Sequence, residues 1–169
     1  MAYWLFKTEP GEFAMSDLEA MAPAPECWSG VRNYQARNFL RDQVAADDRV
    51  FIYHSSCQRV GIAGIARVVR AGYPDPAQFA PQSPYYDAAA SPQLPRWYAV
   101  DIVYQHSFRQ LVPLAVLKAS PALQELALVR RGSRLSVTPV AACPQWPARP
   151  CRAGCHRRRR GGNRLRVYG

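Results

Sequence analysis

After Glu125 this chain of 169 residues contains no aspartate or glutamate. Its net charge of +10 is therefore unevenly spread. Residues 1–140 carry 14 Lys and Arg against all 12 acids, whereas residues 141–169 carry 8 Arg and no acid. A basic surplus points to a polyanionic partner, but here it belongs to the tail and not to the body of the chain. Also missing is any apolar run near the length of a membrane span, so no membrane partner is expected. The first residues, "MAYWLFKTEPGEF", lack a basic segment followed by an apolar core and a small-residue cleavage site. No secretion signal is expected from them, and the cytoplasm is the expected compartment. A glycine-rich phosphate loop, a dinucleotide fingerprint and a nucleophile elbow are all absent.

Cysteine is sparse and clustered late. Of five, Cys143, Cys151 and Cys155 fall in the tail, the last beside His156. A zinc site takes a tighter pair and a regular second pair, so reduced thiols are expected and no metal or cofactor is implied. Cys27 and Cys57 read as small buried hydrophobes. The tail itself is rich in Arg, Ala, Gly and Pro without aliphatic periodicity. It buries too little apolar area to offset its ordering entropy, and disorder is the expectation. The same composition also fits a GC-rich gene read in a shifted frame. The reading therefore divides the chain into one domain, 1–140, and a tail, 141–169.

Within the domain, "AYWLFKT" reads as a strand ended by "EPG", with Tyr3, Leu5 and Lys7 on one face and Trp4, Phe6 and Thr8 on the other. Ser16 and Glu19 have capping-box spacing and predict a helix from Asp17 to about Met21. "NYQARNFLRDQVA" predicts a second helix with Asn33 as N-cap and Ala36, Phe39, Leu40 and Val44 as its apolar face. Strands follow at "DDRVFIYHSS" and "RVGIAGIARVVRAGYP", where Gly61 and Gly64 mark a bulge or a close approach. The Pro-rich "DPAQFAPQSPYYDAAASPQLP" reads as a surface excursion. "RWYAVDIVYQHSFRQLV" is a strand, "PLAVLKASPALQEL" short helices with Pro113 at the first helical position, and "GSRLSVTPV" the last strand. Consecutive strands without helical crossovers exclude a doubly wound sheet. A curved, mostly antiparallel sheet or small barrel with helices against it is predicted.

The chemistry on offer is planar and polar. Trp28, Tyr34 and Trp97 are rings able to hold a flat ligand. Thr8, Asn33, Asn38, Ser55, Ser133 and Ser136 supply donors and acceptors for a heterocycle's edge. Lys7, Arg32 and Arg134 suit a phosphate, and the first amides of the second helix suit an anion. An aromatic cage with a polar floor is how proteins hold a single base. Each residue also has a packing role open to it. Asn33 serves equally as a plain N-cap, His54 as a structural histidine within a strand, and Asp101 as an arginine's partner.

In order along residues 3–140, "YWLFKTEP", "WSGVRNYQARNFLRD", "VFIYHSS", "GIAGIARVV", "YPDP", "SPYYD", "PRWYAVDI" and "LVRRGSRLSV" together resemble the EVE domain family. That family belongs to the PUA-like superfamily and is related to the YTH domains. The resemblance implies an α+β fold, a PUA-like twisted mixed sheet or pseudo-barrel surrounded by short helices. It implies a concave pocket that reads a modified nucleobase in DNA or RNA, such as methylated or hydroxymethylated cytosine, and the related YTH domains hold a methylated adenine in an aromatic cage. The matching pocket positions are Lys7, Thr8, Trp28, Arg32, Asn33, Tyr34, Asn38, His54, Ser55, Trp97, Ser133, Arg134, Leu135 and Ser136. The tail departs from the family, which follows this last strand with a short acidic and aliphatic helix. Only Gln145 and Trp146 are reminiscent of that helix.

A monomeric nucleic-acid reader without a catalytic residue is therefore the first expectation. The alternatives are an enzyme acting on a nucleotide or modified base, with His54 as general base and Arg134 as stabiliser, and a protein-interaction module.

Overall fold

A computed structural model describes residues 1–124, 126, 128 and 135–140. The tail, its cysteine cluster and both readings of it lie outside the described residues, as do Ser133 and Arg134. The elements run β1 (Tyr3–Thr8), α1 (Met15–Met21), β2 (Glu26–Trp28), α2 (Tyr34–Asp42), β3 (Arg49–His54), β4 (Gly61–Pro74), β5 (Tyr98–Pro113), α3 (Leu114–Ala119) and β6 (Val137–Val140). Single 3-10 turns lie at Pro76–Phe79 and Pro121–Leu123.

The six strands form one mixed sheet in the order β2-β5-β4-β3-β1-β6. Only β1 and β3 are parallel. Their register sets Thr8 opposite His54, so both strands finish at the same edge. On a flat sheet, β2 and β1 would stand about 19 Å apart, four steps of about 4.8 Å. Yet the rings of Trp28 on β2 and Phe6 on β1 have centroids only 5.3 Å apart. The sheet therefore curls on itself, as the α+β pseudo-barrel expectation requires.

Alternation along β1 and β3 divides the apolar residues between two faces. Trp4, Phe6, Val50 and Ile52 join Leu18 of α1, Ala36 and Leu40 of α2, and Val100 and Ile102 of β5. Leu5, Phe51 and Tyr53 join Ile62 and Leu117 of α3 on the other side. Each fully buried aliphatic or aromatic side chain contributes about 1.5–3 kcal/mol. The buried Asp48 anchors the start of this core. It accepts from Ala2 N–H at 2.6 Å, Ala45 N–H at 3.0 Å and Trp4 Nε1–H at 2.9 Å. Burial alone would raise its pKa, but these donors together hold the carboxyl below its ordinary range.

Most elements match the sequence pattern, with four corrections. Helix α1 starts at Met15, and Ala14, not Ser16, is its N-cap; Asp17 accepts from Ala14 N–H at 2.7 Å. Glu19 instead bridges to β5 through the hydroxyls of Tyr104 and Ser107 at 2.9 and 2.8 Å. Pro113 precedes α3 as its N-cap position. The strand β2 is too short to show a period, and no reading of the sequence included it. Cys27 and Cys57 are only half-buried. Gly61 and Gly64 do lie beside register shifts in β4, and a side chain at either would collide with the β5 backbone.

Candidate functional site

The described candidate residues form two groups. The first gathers where β1 and β3 end. Ser55 donates to the Thr8 carbonyl from both its N–H, at 2.8 Å, and its hydroxyl, at 3.2 Å. The Thr8 hydroxyl donates to Phe13 O at 2.8 Å, tying down the turn into α1. Phe13 meets Trp28 edge-on, with centroids 6.1 Å apart. Lys7 N–H donates to Ser136 O at 2.8 Å, which brings the segment before β6 to the same edge, and Leu135 packs against the core beside it. The Lys7 ammonium is half-buried, and that desolvation lowers its pKa.

His54 completes this group and caps a helix. Its Nε2 accepts from Met15 N–H at 3.1 Å, taking up one of the amides that α1 leaves unpaired at its start. Burial lowers the imidazole's pKa, and the charge of Asp17 opposes this only in part. The ring is thus held neutral with its lone pair engaged. Proton abstraction by Nε2 would first have to release the helix.

The second group surrounds the start of α2. Asn33 is the N-cap: its Oδ1 accepts from Gln35 N–H at 3.0 Å and Ala36 N–H at 3.1 Å. Those two amides are therefore engaged, which corrects the expectation that they would receive an anion. Arg32 is also committed. It pairs with the fully buried Asp75 at 2.7 Å and donates from Nε and Nη2 to Tyr85 O. Its guanidinium lies 5.2 Å from the Tyr85 ring and 5.3 Å from the Trp97 ring. Trp97 stacks on Tyr34 at 5.0 Å, and Tyr34 in turn meets the Arg37 guanidinium at 5.0 Å. The result is a continuous ladder, Tyr85–Arg32–Trp97–Tyr34–Arg37. Asn38 joins it by accepting from Arg37 Nε at 2.9 Å.

Of the three rings read as stacking candidates, Trp97 and Tyr34 are thus in contact with each other and with arginines. Trp97 is 7% exposed and Trp28 9%, whereas Tyr34 is 51% exposed. Trp28 belongs to the core and presents only its margin.

Four residues that hold the second group were missed. Asp75 also accepts from Gly30 N–H at 3.0 Å and Ala77 N–H at 2.8 Å, so one carboxylate joins β2's exit, α2's entry and the 3-10 turn. Its place before Pro76 is an N-cap signal that was available. Gln78 makes all four bonds its amide allows, donating to Asp75 O and Trp97 O, and accepting from the N–H groups of Arg96 and Trp97. Asp87 accepts from Trp97 Nε1–H at 2.7 Å, and with Ala89 N–H this lowers its pKa. Arg96 donates to the Tyr34 hydroxyl. Asp87 and Arg96 fall in the segments "SPYYD" and "PRWYAVDI", but nothing local assigns any of these three a role. They turn the expected surface excursion into a pinned flap over α2.

Among the described residues, no group of three or more His, Cys, Asp or Glu side chains is placed to hold a metal ion. Asp101, read as an arginine's partner, accepts from Tyr73 and lies 4.0 Å from Arg70.

Comparison with known proteins agrees with this architecture. Residues 2–144 match the EVE domain family. Mouse thymocyte nuclear protein 1 is 37% identical over 155 residues, spanning 82% of this chain and 68% of that protein. A crystal structure of a Pseudomonas syringae protein superposes with a TM-score of 0.79 at 50% identity, covering 83% of this chain and 93% of that one. The crystal structure of human THYN1 protein in complex with 5-methylcytosine containing DNA superposes with a TM-score of 0.79 at 36% identity, covering 85% of this chain and 92% of that one.

Proposed function

The chain belongs to the EVE domain family, and from that premise we propose that it binds DNA and holds a modified cytosine at the edge where β1 and β3 end. The observation that carries the reading is its likeness to human THYN1 protein, whose structure is a complex with 5-methylcytosine containing DNA. The chemistry of the first group supports it. Trp28 supplies an apolar wall, Thr8, Ser55 and Ser136 supply hydroxyls, and Lys7 supplies a partly desolvated cation. Ser133 and Arg134 are proposed to complete the rim, and Asn33 and Asn38 to face it from α2. The Arg32–Trp97–Tyr34 ladder serves as the support that fixes α2 against this wall, not as the stacking surface.

Fluorescence polarisation with short oligonucleotides of one sequence tests the reading, with cytosine, 5-methylcytosine, adenine or methylated adenine at one position. Tighter binding of the 5-methylcytosine form is expected. Equal affinity for all four would refute base reading.

A further inference from the structure

Several described cations, Arg37, Arg49 and Lys118 among them, have no carboxylate within 4.0 Å among the described residues, and two such cations share one cleft. Arg32, Arg41, Arg67, Arg70 and Arg96 each lie within 4.0 Å of a carboxylate. Arg59 and Arg109 have no acidic partner among the described residues, and both are exposed. They line the same cleft, about 760 Å³ in volume, together with His54, Cys57, Gln58 and Gln110. No acid lines it.

The cleft is built on a fixed frame. Gly61 pairs with Pro113, and a Cβ on Gly61 would lie 2.3 Å from Val112 O, so β4 begins hard against the end of β5. Leu114 N–H donates to Val60 O at 3.2 Å, and the Cys57 thiol donates to Arg59 O at 3.3 Å. The turn carrying Arg59 is thereby held beside the strand carrying Arg109. Two guanidinium groups sharing a cleft with no carboxylate among its described lining residues repel one another, which favours occupation by an anion. Flanking glutamine amides add neutral donors suited to phosphate oxygens.

Its position matters as much as its charge. His54 lines the cleft and also ends β3 opposite Thr8. The cleft therefore adjoins the edge proposed to hold the base. Arg32, one of the three sequence-based candidates for a phosphate, is engaged by Asp75 and Tyr85 instead.

We propose that the cleft between Arg59 and Arg109 binds the phosphodiester backbone of the nucleic acid next to the held base. This rests on the DNA-binding reading above. Backbone contacts position a nucleic acid without reading its sequence, so the cleft contributes affinity and the β1–β3 edge contributes selectivity.

The test uses the full chain, with Arg59→Gln and Arg109→Gln combined, and Arg67→Gln as a control that removes one charge elsewhere on the surface. Duplex oligonucleotides with cytosine or 5-methylcytosine are titrated by fluorescence polarisation at several salt concentrations. Each lost phosphate contact lowers the slope of log K against log salt by about 0.9. The double variant is expected to lower the slope by about 1.8, to weaken both oligonucleotides equally, and to keep their affinity ratio. Arg67→Gln is expected to leave the slope unchanged. An unchanged slope in the double variant, an equal loss in Arg67→Gln, or a change in the affinity ratio would each overturn the cleft while a 5-methylcytosine preference still stood. Loss of slope without any such preference in the unaltered chain would keep the cleft and refute base reading. Absence of DNA binding by the unaltered chain would overturn both.

Discussion

Asp75 and His54 show how single side chains hold this site in shape. Asp75 is fully buried and receives Gly30, Arg32 and Ala77. Removing its charge leaves the Arg32 guanidinium without its partner in a half-desolvated position. Asp75→Asn is expected to destabilise the fold by about 3 kcal/mol, read as a lower urea midpoint at unchanged slope. His54 makes a pH-dependent contribution. Its folded pKa lies below the ordinary 6.5 because burial disfavours the charged ring. Between those two values the unfolded chain binds more protons than the folded one. The stability His54 contributes is therefore complete above about pH 6.5 and is lost as pH falls through the folded value. Urea midpoints should be steady above that pH and decline below it. His54→Gln, whose carbonyl can still accept from Met15 N–H, should flatten the decline; an identical decline in the variant would assign it to other groups.

At the scale of elements, the parts that carry their own period were legible. Strand β1 alternates, α2 has Ala36, Phe39 and Leu40 at helical spacing and an Asn cap, and Gly61 and Gly64 marked the start of β4, where its first register shifts fall. Gly64 links two elements, because a Cβ there would lie 2.5 Å from His106 O and 2.7 Å from Met15 Cε. Gly64→Ala should force β5 and α1 outward and lower stability by about 1–3 kcal/mol, measurable by thermal or urea unfolding. What could not be read locally was set by partners distant in sequence. Met15 begins α1 because His54, 39 residues away, accepts its amide. The three residues of β2 become a strand only because β5 lies beside them. Arg32 suits a phosphate in isolation, but a carboxylate 43 residues on claims it. The sequence reading thus assigned Arg32 and the α2 amides to a ligand, whereas the fold engages them. Gln78 carried no periodic or motif signal, and Asp87 and Arg96 lay in recognised segments without a role of their own.

For the whole molecule, charge and selectivity separate. The eight arginines of residues 141–169 outweigh the small surplus of residues 1–140, so they add an unselective, salt-sensitive term to any DNA binding. Raising salt from about 0.05 to about 0.3 M should weaken cytosine and 5-methylcytosine oligonucleotides in parallel and preserve their ratio, as polarisation titrations can check. The most direct measurement of the central claim is a pair of NMR titrations of the isotope-labelled full chain, one with a 5-methylcytosine oligonucleotide and one with its unmodified twin. The expected result is a set of perturbations at Lys7, Thr8, Ser55, Ser136 and the Trp28 indole N–H that is larger with the methylated strand. Perturbations confined to residues 141–169 and equal for both strands would contradict it.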